Sequence, residues 1–412
     1  MQERLAGMAR NIVVIGGGPA AVFAAIEAKK RDGAATVTLV TDEACEPYEK
    51  PPLSKAVLLG KAQPEDTPIA GKGGVAAFGV TVQSGTRCTA IDRTAHIAVT
   101  TAGPLPYDAL VLATGSLVRE LPLLPQGMPR VHYLRTEADA RAIKAGLSSC
   151  KHLVVVGAGL IGLEAAASAA ELGIETTVIE AAPRIMARAC DEETGKLIEA
   201  EHRHRGVEFD LPTTVTQATA QLDGSIALEM GDGELYVADL VIVGTGVVPD
   251  DTLASSAGLA TADGIVVDAQ CRTSDPDIFA AGDCTRFPGP HGLVRLENWR
   301  HAQDHGAVAG RNAAGAGESY GAIPSYWSEQ YDLYIQGVGW PDATAQTIRR
   351  PMPGKGSLRL DVKDGTICHA LGINAQRDLA AVRRLIERKV PVDPAALADP
   401  AQPFNAMLKP KV

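Results

Sequence analysis

Two glycine-rich turns, each set between an aliphatic run and a helix-forming segment, limit this chain to a small set of folds. Ile12-Val-Val-Ile15 leads into Gly16-Gly17-Gly18-Pro19-Ala20-Ala21, and Leu153-Val-Val-Val156 leads into Gly157-Ala158-Gly159-Leu160-Ile161-Gly162. Each has the order of a buried strand, a tight turn and a helix. In such a turn the first glycine allows the bend and the second lets a pyrophosphate approach the backbone. The third lets helix pack on strand. The helix N-terminus then presents unpaired N–H groups and the positive end of its dipole to the phosphates. One such motif is a weak signal, but two in strand–helix context predict two dinucleotide sites and electron transfer between them.

The second strand of each unit offers a further test, since it should end in an acid that holds a ribose hydroxyl. Thr36-Val-Thr-Leu-Val40 is followed by Asp42, and Glu175-Thr-Thr-Val-Ile179 ends at Glu180. Both lie roughly 20 to 25 residues beyond the glycines, the spacing expected of a ribose ligand. A carboxylate at Glu180 repels a 2′-phosphate and so favours NAD over NADP. Arg184 and Arg188 stand nearby and argue the other way, but Glu180 holds the strand-end position itself.

The chain has 412 residues, enough for two or three cores, with 46% hydrophobic and 21% charged residues. A net charge of −10 lacks the basic footprint of a nucleic-acid binder. The charge is uneven: from residue 323 onward 12 Lys and Arg face 9 Asp and Glu, while the rest carries 27 against 40. The last fifth is therefore the place to look for the docking surface of an acidic partner, with Arg349 and Arg350 as candidates. No apolar run reaches the roughly 18 residues of a spanning helix. Ile12 to Ala28 imitates a signal peptide, but its glycine turn and following strand make it a β–α unit. Met8 is an alternative start, and a cytoplasmic location is expected.

The seven cysteines, Cys45, Cys88, Cys150, Cys190, Cys271, Cys284 and Cys368, form no close pair. That pattern predicts neither a zinc cage nor a local disulfide, and no metal site. It also lacks a redox dithiol, so electrons must leave by another route.

Along the chain, Glu46-Pro-Tyr-Glu-Lys-Pro-Pro-Leu-Ser-Lys55 reads as a fixed loop with a helix starting near Leu53. Strands are expected around 80–82 and 95–99, and a buried strand from Tyr107 to Gly115. Helices are expected over 136–147 and after the 190–194 region. Leu240-Val-Ile-Val-Gly244-Thr-Gly246 echoes Leu110-Val-Leu-Ala-Thr-Gly115, as if each dinucleotide unit closed in the same way. The fold class expected is α/β, with a discontinuous first domain over 1–115 and 243–321. A second domain follows over 116–242, and a smaller α+β domain over 322–412, where the tryptophans and tyrosines gather.

Several separated motifs carry a family resemblance: Tyr48-Glu-Lys-Pro-Pro-Leu-Ser-Lys55, Ala113-Thr-Gly115, Leu134-Arg135-Thr136, Thr273-Ser-Asp-Pro276 with Gly282-Asp283-Cys284, and Trp327-Ser-Glu-Gln-Tyr331. In this order they resemble the NADH-dependent ferredoxin reductases that serve bacterial Rieske oxygenases and cytochromes P450, the group of putidaredoxin reductase and biphenyl dioxygenase reductase. The resemblance implies a glutathione-reductase-like fold with FAD-binding, NAD-binding and C-terminal domains. It assigns Gly16, Gly18 and Ala20 to the FAD pyrophosphate, Asp42 to the adenosine ribose, and Cys88 to an adenine contact through its backbone. Lys55 is placed beside the flavin ring, Arg135 and Asp283 on the rest of FAD, and Trp299 at the flavin pyrimidine edge. Gly157, Gly159, Leu160, Ile161, Gly162, Glu180 and Arg188 are assigned to NADH. Glu164 faces the nicotinamide end, paired with Lys55, and Trp327 lies near the isoalloxazine.

Ala21 replaces the third glycine of the first motif, and His301 and His305 stand where amides are usual. Both histidines are expected on a helix surface or interface. The implied activity is hydride transfer from NADH to FAD, then single-electron delivery to a separate [2Fe–2S] ferredoxin, by a monomer. The alternatives are a rubredoxin reductase, an NADH oxidase or peroxidase using Cys45, and an NAD-sensing flavoprotein similar to apoptosis-inducing factor.

Overall fold

The computed structural model describes residues 9–408, so Met8 as a start lies outside the described residues. The chain forms two compact units. Within the described residues, one comprises 9–50, 64–117 and 247–322; the other comprises 51–63, 118–246 and 323–408.

The first unit is built on five parallel strands in the order Ile278–Ala280, Ala109–Leu112, Asn11–Ile15, Thr36–Val40 and Thr81–Gln83. Ile12, Val14, Leu39, Leu110 and Val111 are fully buried. Such continuous burial explains their unbroken aliphatic runs, because a parallel sheet is covered on both faces. Helices Pro19–Arg31 and Trp299–Ala313 pack closely on each other. The approach depends on two glycines: a Cβ on Gly306 would sit 2.2 Å from Ala20 O, and one on Gly310 would sit 2.0 Å from Ala24 O. Gly310→Ala must therefore push two helices apart. We expect it to cost about 1–3 kcal/mol or more of this unit's stability, read as a lower melting temperature; an unchanged melting curve would contradict the packing.

His301 and His305 are not surface residues. They are 1% and 0% exposed, because positions 301, 305 and 309 share the helix face turned inward. His301 stacks on Phe287, His305 packs against Tyr320, and the two imidazoles lie 4.8 Å apart.

The second unit has its own five-stranded parallel sheet, ordered Val207–Asp210, Glu175–Ile179, His152–Val156, Leu240–Val243 and Val131–Tyr133. Helix Glu137–Leu147 starts at a capping box, in which Thr136 and Asp139 exchange side-chain and backbone hydrogen bonds. A three-stranded meander, Val215–Ala220, Ile226–Met230 and Leu235–Ala238, adjoins it. From Ser325 the chain forms a five-stranded antiparallel sheet covered by helix Gln376–Glu387 through Leu379, Val382 and Leu385.

The segment after Pro51 makes one wide turn over Leu53–Val57 rather than a regular helix. It belongs to the second unit because Leu58, 2% exposed, joins a core with Ile143, Leu147 and Leu163.

Candidate functional site

Both glycine turns have the steric design their sequences imply, and the echoed strands explain it. Gly16 takes φ +134, and a Cβ there would lie 2.1 Å from Ala113 O. Gly157 takes φ +108, with its Cβ position 2.6 Å from Gly244 O. In each unit, then, the first glycine yields to the carbonyl that ends the strand of the echo. The second glycines differ: nothing lies within 4 Å of a Cβ on Gly18, and the nearest atom to one on Gly159 is 4.0 Å away. A Cβ on Gly162, the third glycine of its motif, would lie 2.1 Å from Gly157 O.

The helices that follow begin at Gly18 and Gly159, neither of which supplies a side-chain cap. Neither first turn holds an acidic residue. An open cradle, uncapped N–H groups and a positive dipole end suit a pyrophosphate, so the residues present fit two dinucleotides.

Around the first cradle, Asp42 pairs with Arg87 at 3.2 Å in an exposed position. Neighbouring Cys88 is half-buried, and burial pushes its thiol up to about 11. Asp283 accepts a hydrogen bond from Ser116 Oγ at 3.2 Å. Gly282, at φ +82, brings this corner against Ala20, with 2.8 Å between its Cβ position and that methyl. Trp299 opens helix Trp299–Ala313, which Asn298 caps by accepting from His301 N–H at 2.8 Å. Its indole N–H donates to Glu49, whose carboxyl is raised by burial and partly held back by that bond.

The second unit holds the remaining residues singled out from sequence: Lys55, Arg135, Glu164, Arg188 and Trp327 together with the Gly157–Gly162 turn and Glu180. Glu180 Oε2 accepts from Ala158 N–H, inside the glycine turn, and Oε1 from Ala182 N–H, each at 2.7 Å. Its carboxylate is thereby fixed against the cradle. Arg184 is committed to its own loop, donating to Cys190 O at 2.8 Å and Ala187 O at 2.9 Å. Arg188 lies by Gly246, 3.8 Å from its Cβ position. Arg135 precedes the capping box and donates its backbone N–H to Asp139.

Lys55 and Glu164 form an ion pair at 2.9 Å, with side chains 19% and 4% exposed. The same carboxylate accepts from Ser54 Oγ, and from Ser328 Oγ at 2.7 Å. Trp327 precedes Ser328 on strand Ser325–Gln330, directly opposite Gln336. Strand alternation therefore turns Trp327 away from the sheet face on which Ser328 meets Glu164. Sequence reasoning noted the Ser54 and Ser328 motifs without a role for either hydroxyl, and it missed Arg87 and Glu49.

Residues 10–306 match the pyridine nucleotide-disulphide oxidoreductase family, and residues 325–408 match the reductase C-terminal family. The ferredoxin–NAD(+) reductase component of the anthranilate 1,2-dioxygenase system of Burkholderia cepacia is 39% identical, covering 96% of this chain and 98% of that protein. The chain belongs to this family of ferredoxin–NAD(+) reductases.

Among other members, rhodocoxin reductase of Rhodococcus erythropolis is 36% identical over 94% of this chain and 92% of its own length. The reductase in the crystal structure of a covalent putidaredoxin reductase–putidaredoxin complex superposes with a TM-score of 0.91 at 32% identity, over 98% of this chain and 99% of that one. This reductase departs from the family's disulphide name, since all seven cysteines are free. Burial pushes the thiols of Cys150, Cys190 and Cys284 up to about 11. Cys45 lies in a bend ahead of the Leu53 turn rather than at a helix N-terminus, the position that activates a thiol.

The arginines expected to face a partner are otherwise engaged. Arg350 is 6% exposed, stacks 4.2 Å over Phe404 and donates to Leu397 O, Pro400 O and Gln402 O. Arg349 pairs with Asp191 at 3.0 Å and Glu193 at 2.8 Å. Both staple the reductase's own segments, and strand alternation explains why only one of two adjacent arginines is buried. No helix of the described residues is long and apolar enough to cross a membrane.

Proposed function

We propose that this protein is an FAD-dependent NADH:ferredoxin reductase feeding an oxygenase or P450. The first unit's cradle holds FAD and the second unit's cradle holds NADH. On this reading 1–115, apart from residues 51–63 that pack in the second unit, joins 243–321 as the FAD-binding domain, with 116–242 the NAD-binding domain and 322–412 the C-terminal domain. When bound, FAD accepts a hydride from NADH and releases electrons singly.

The chain's own residues do the binding and orienting. Gly18 and Gly159 admit the pyrophosphates, while Asp42 and Glu180 take the adenosine riboses. Asp283, Arg135 and Cys88 line FAD, and Leu160, Ile161 and Arg188 line NADH. Helix Trp299–Ala313 turns its N-terminus toward the charge that builds on the reduced ring. Lys55 is held in place by Glu164, and Trp327 lies near the isoalloxazine. The pair of open cradles in a chain without a disulphide carries this reading: electrons enter and leave through different partners. It acts as a monomer in the cytoplasm, where NADH is available, with a [2Fe–2S] ferredoxin as its protein partner.

Steady-state reduction of a panel of [2Fe–2S] ferredoxins and a rubredoxin, read through cytochrome c, tests the acceptor. Turnover with a ferredoxin is expected; turnover with rubredoxin alone would reassign the protein to the rubredoxin reductases. Glu180→Ala removes the carboxylate that repels a 2′-phosphate and unpins Ala158. The ratio of kcat/KM for NADH over NADPH is expected to fall at least about tenfold, equivalent to about 1.4 kcal/mol. An unchanged ratio would remove Glu180 from the ribose site.

A further inference from the structure

The Glu164 carboxylate is the end of a longer buried chain. Ser328 Oγ, 2.7 Å from Glu164 Oε1, lies 3.1 Å from Gln330 Nε2. Gln330 Oε1 is 2.8 Å from His202 Nε2, and His202 Nδ1 is 3.1 Å from Tyr331 Oη. Glu164 is 3% exposed, and Ser328, Gln330 and His202 are each 0% exposed.

The ion pair at Glu164 orders every proton along these hydrogen bonds. A carboxylate paired with an ammonium only accepts hydrogen bonds, so Ser328 must donate to Glu164. Its oxygen is then left to accept from the Gln330 amide. Gln330 Oε1 accepts from His202, which fixes the proton on Nε2, and the bare Nδ1 accepts from Tyr331. All four links point the same way, toward Glu164 Oε1. Aligned hydrogen bonds polarise one another.

The far end is built at some cost. Tyr331 takes φ +56 in the turn between strands Ser325–Gln330 and Leu333–Gly339, a left-handed conformation that a bulky side chain rarely adopts. Its ring packs against His202 at 5.0 Å and under the Arg205 guanidinium at 4.9 Å. Burial holds the His202 imidazole down to about 4, in keeping with a neutral ring.

We infer that Tyr331, His202, Gln330 and Ser328 form a one-directional hydrogen-bond relay that holds Glu164 in a single orientation and thereby positions the Lys55 ammonium. Ser328 and Gln330 are positioning residues; neither needs to touch a cofactor. The effect on flavin rests on the proposed placement of Lys55 beside it, whereas the direction of the relay does not.

Two measurements on the flavin-loaded protein test this. In ¹⁵N-histidine-labelled wild type, His202 is expected as the Nε2–H tautomer throughout pH 5–8. An Nδ1–H tautomer, or titration within that range, would overturn the relay. Ser328→Ala frees the carboxylate and loosens the ammonium that stabilises the reduced ring, so the flavin midpoint potential is expected to become more negative. Ser328→Thr, which restores the hydroxyl, should return it. Gln330→Met, which leaves Ser328 in place, should shift it in the same direction by less. A purely structural contact would lower the melting temperature and leave the potential unchanged, and that result would overturn the positioning role. Protein that binds no flavin would instead defeat the proposed function, and the tautomer measurement would still decide the relay.

Discussion

Gly159→Val is expected to leave the protein folded and flavin-loaded while raising KM for NADH by about 100-fold. The backbone at Gly159, φ −80 and ψ −177, is extended and open to any residue. The nearest atom to an added Cβ is 4.0 Å away, so the protein itself offers no objection. The branched side chain instead fills the space that a pyrophosphate needs to reach the first N–H groups of helix Leu160–Glu171. Losing charge-assisted hydrogen bonds worth about 3 kcal/mol in total corresponds to the stated factor.

Gly18→Val is the matching change in the other unit, again at an extended backbone with nothing within 4 Å. It should give folded protein with little or no flavin. The first glycine of each turn provides the contrast. A side chain on Gly16 or Gly157 meets a backbone carbonyl at 2.1 or 2.6 Å, so those variants should misfold rather than merely lose ligand. Equilibrium dialysis with FAD and NADH separates the outcomes. Gly159→Val protein that has lost FAD but kept NADH affinity would exchange the two cradles.

Acid sensitivity is the second large effect. Burial holds His202 down to about 4 and His301 down to about 3, and lowers His305 well below its ordinary value. An unfolded histidine titrates near pH 6.5. Below that pH the unfolded chain binds protons that the native state refuses, so stability falls as pH falls. The loss is present from about pH 6.5 down to the folded-state values. It amounts to at most about 1.4 kcal/mol per pH unit for each imidazole, or about 4 kcal/mol per pH unit for three. Between pH 6.5 and 5 unfolded carboxylates remain mostly ionised, so these three histidines dominate the change, joined by His132, which burial also lowers. Denaturant melts across it should show a proton uptake of two to three on unfolding. His305→Phe keeps the ring packing and should remove close to one of those protons. A stability that is flat from pH 7 to 5 would contradict the neutral burial of these rings.

What the sequence made legible was local. The glycine turns, the strand-end acids and the Thr136 cap express steric and hydrogen-bonding needs met within a few residues. The echo between Leu110–Gly115 and Leu240–Gly246 was visible as a pattern. Its reason, a carbonyl lying against the first glycine of each turn, needed the strand order.

Burial of polar groups was not legible, because it depends on what packs against them. His301 and His305 look like surface residues until Phe287 and Tyr320 close over them. Arg350 looks like a docking charge until Phe404 and three carbonyls from the chain's end enclose it. Residues 51–63 follow the first unit in sequence yet join the second, because Leu58 finds its core there. The Gln330–His202 link spans 128 residues and leaves no periodic trace.

On the proposed function, electrons enter through one cradle and leave from a flavin in the other to a separate protein, a route that anaerobic stopped-flow mixing follows step by step. NADH should bleach the bound flavin, and a [2Fe–2S] ferredoxin added next should restore the flavin absorbance, with two ferredoxins reduced per flavin. A flavin that NADH bleaches but that only oxygen, and no ferredoxin, restores would contradict it.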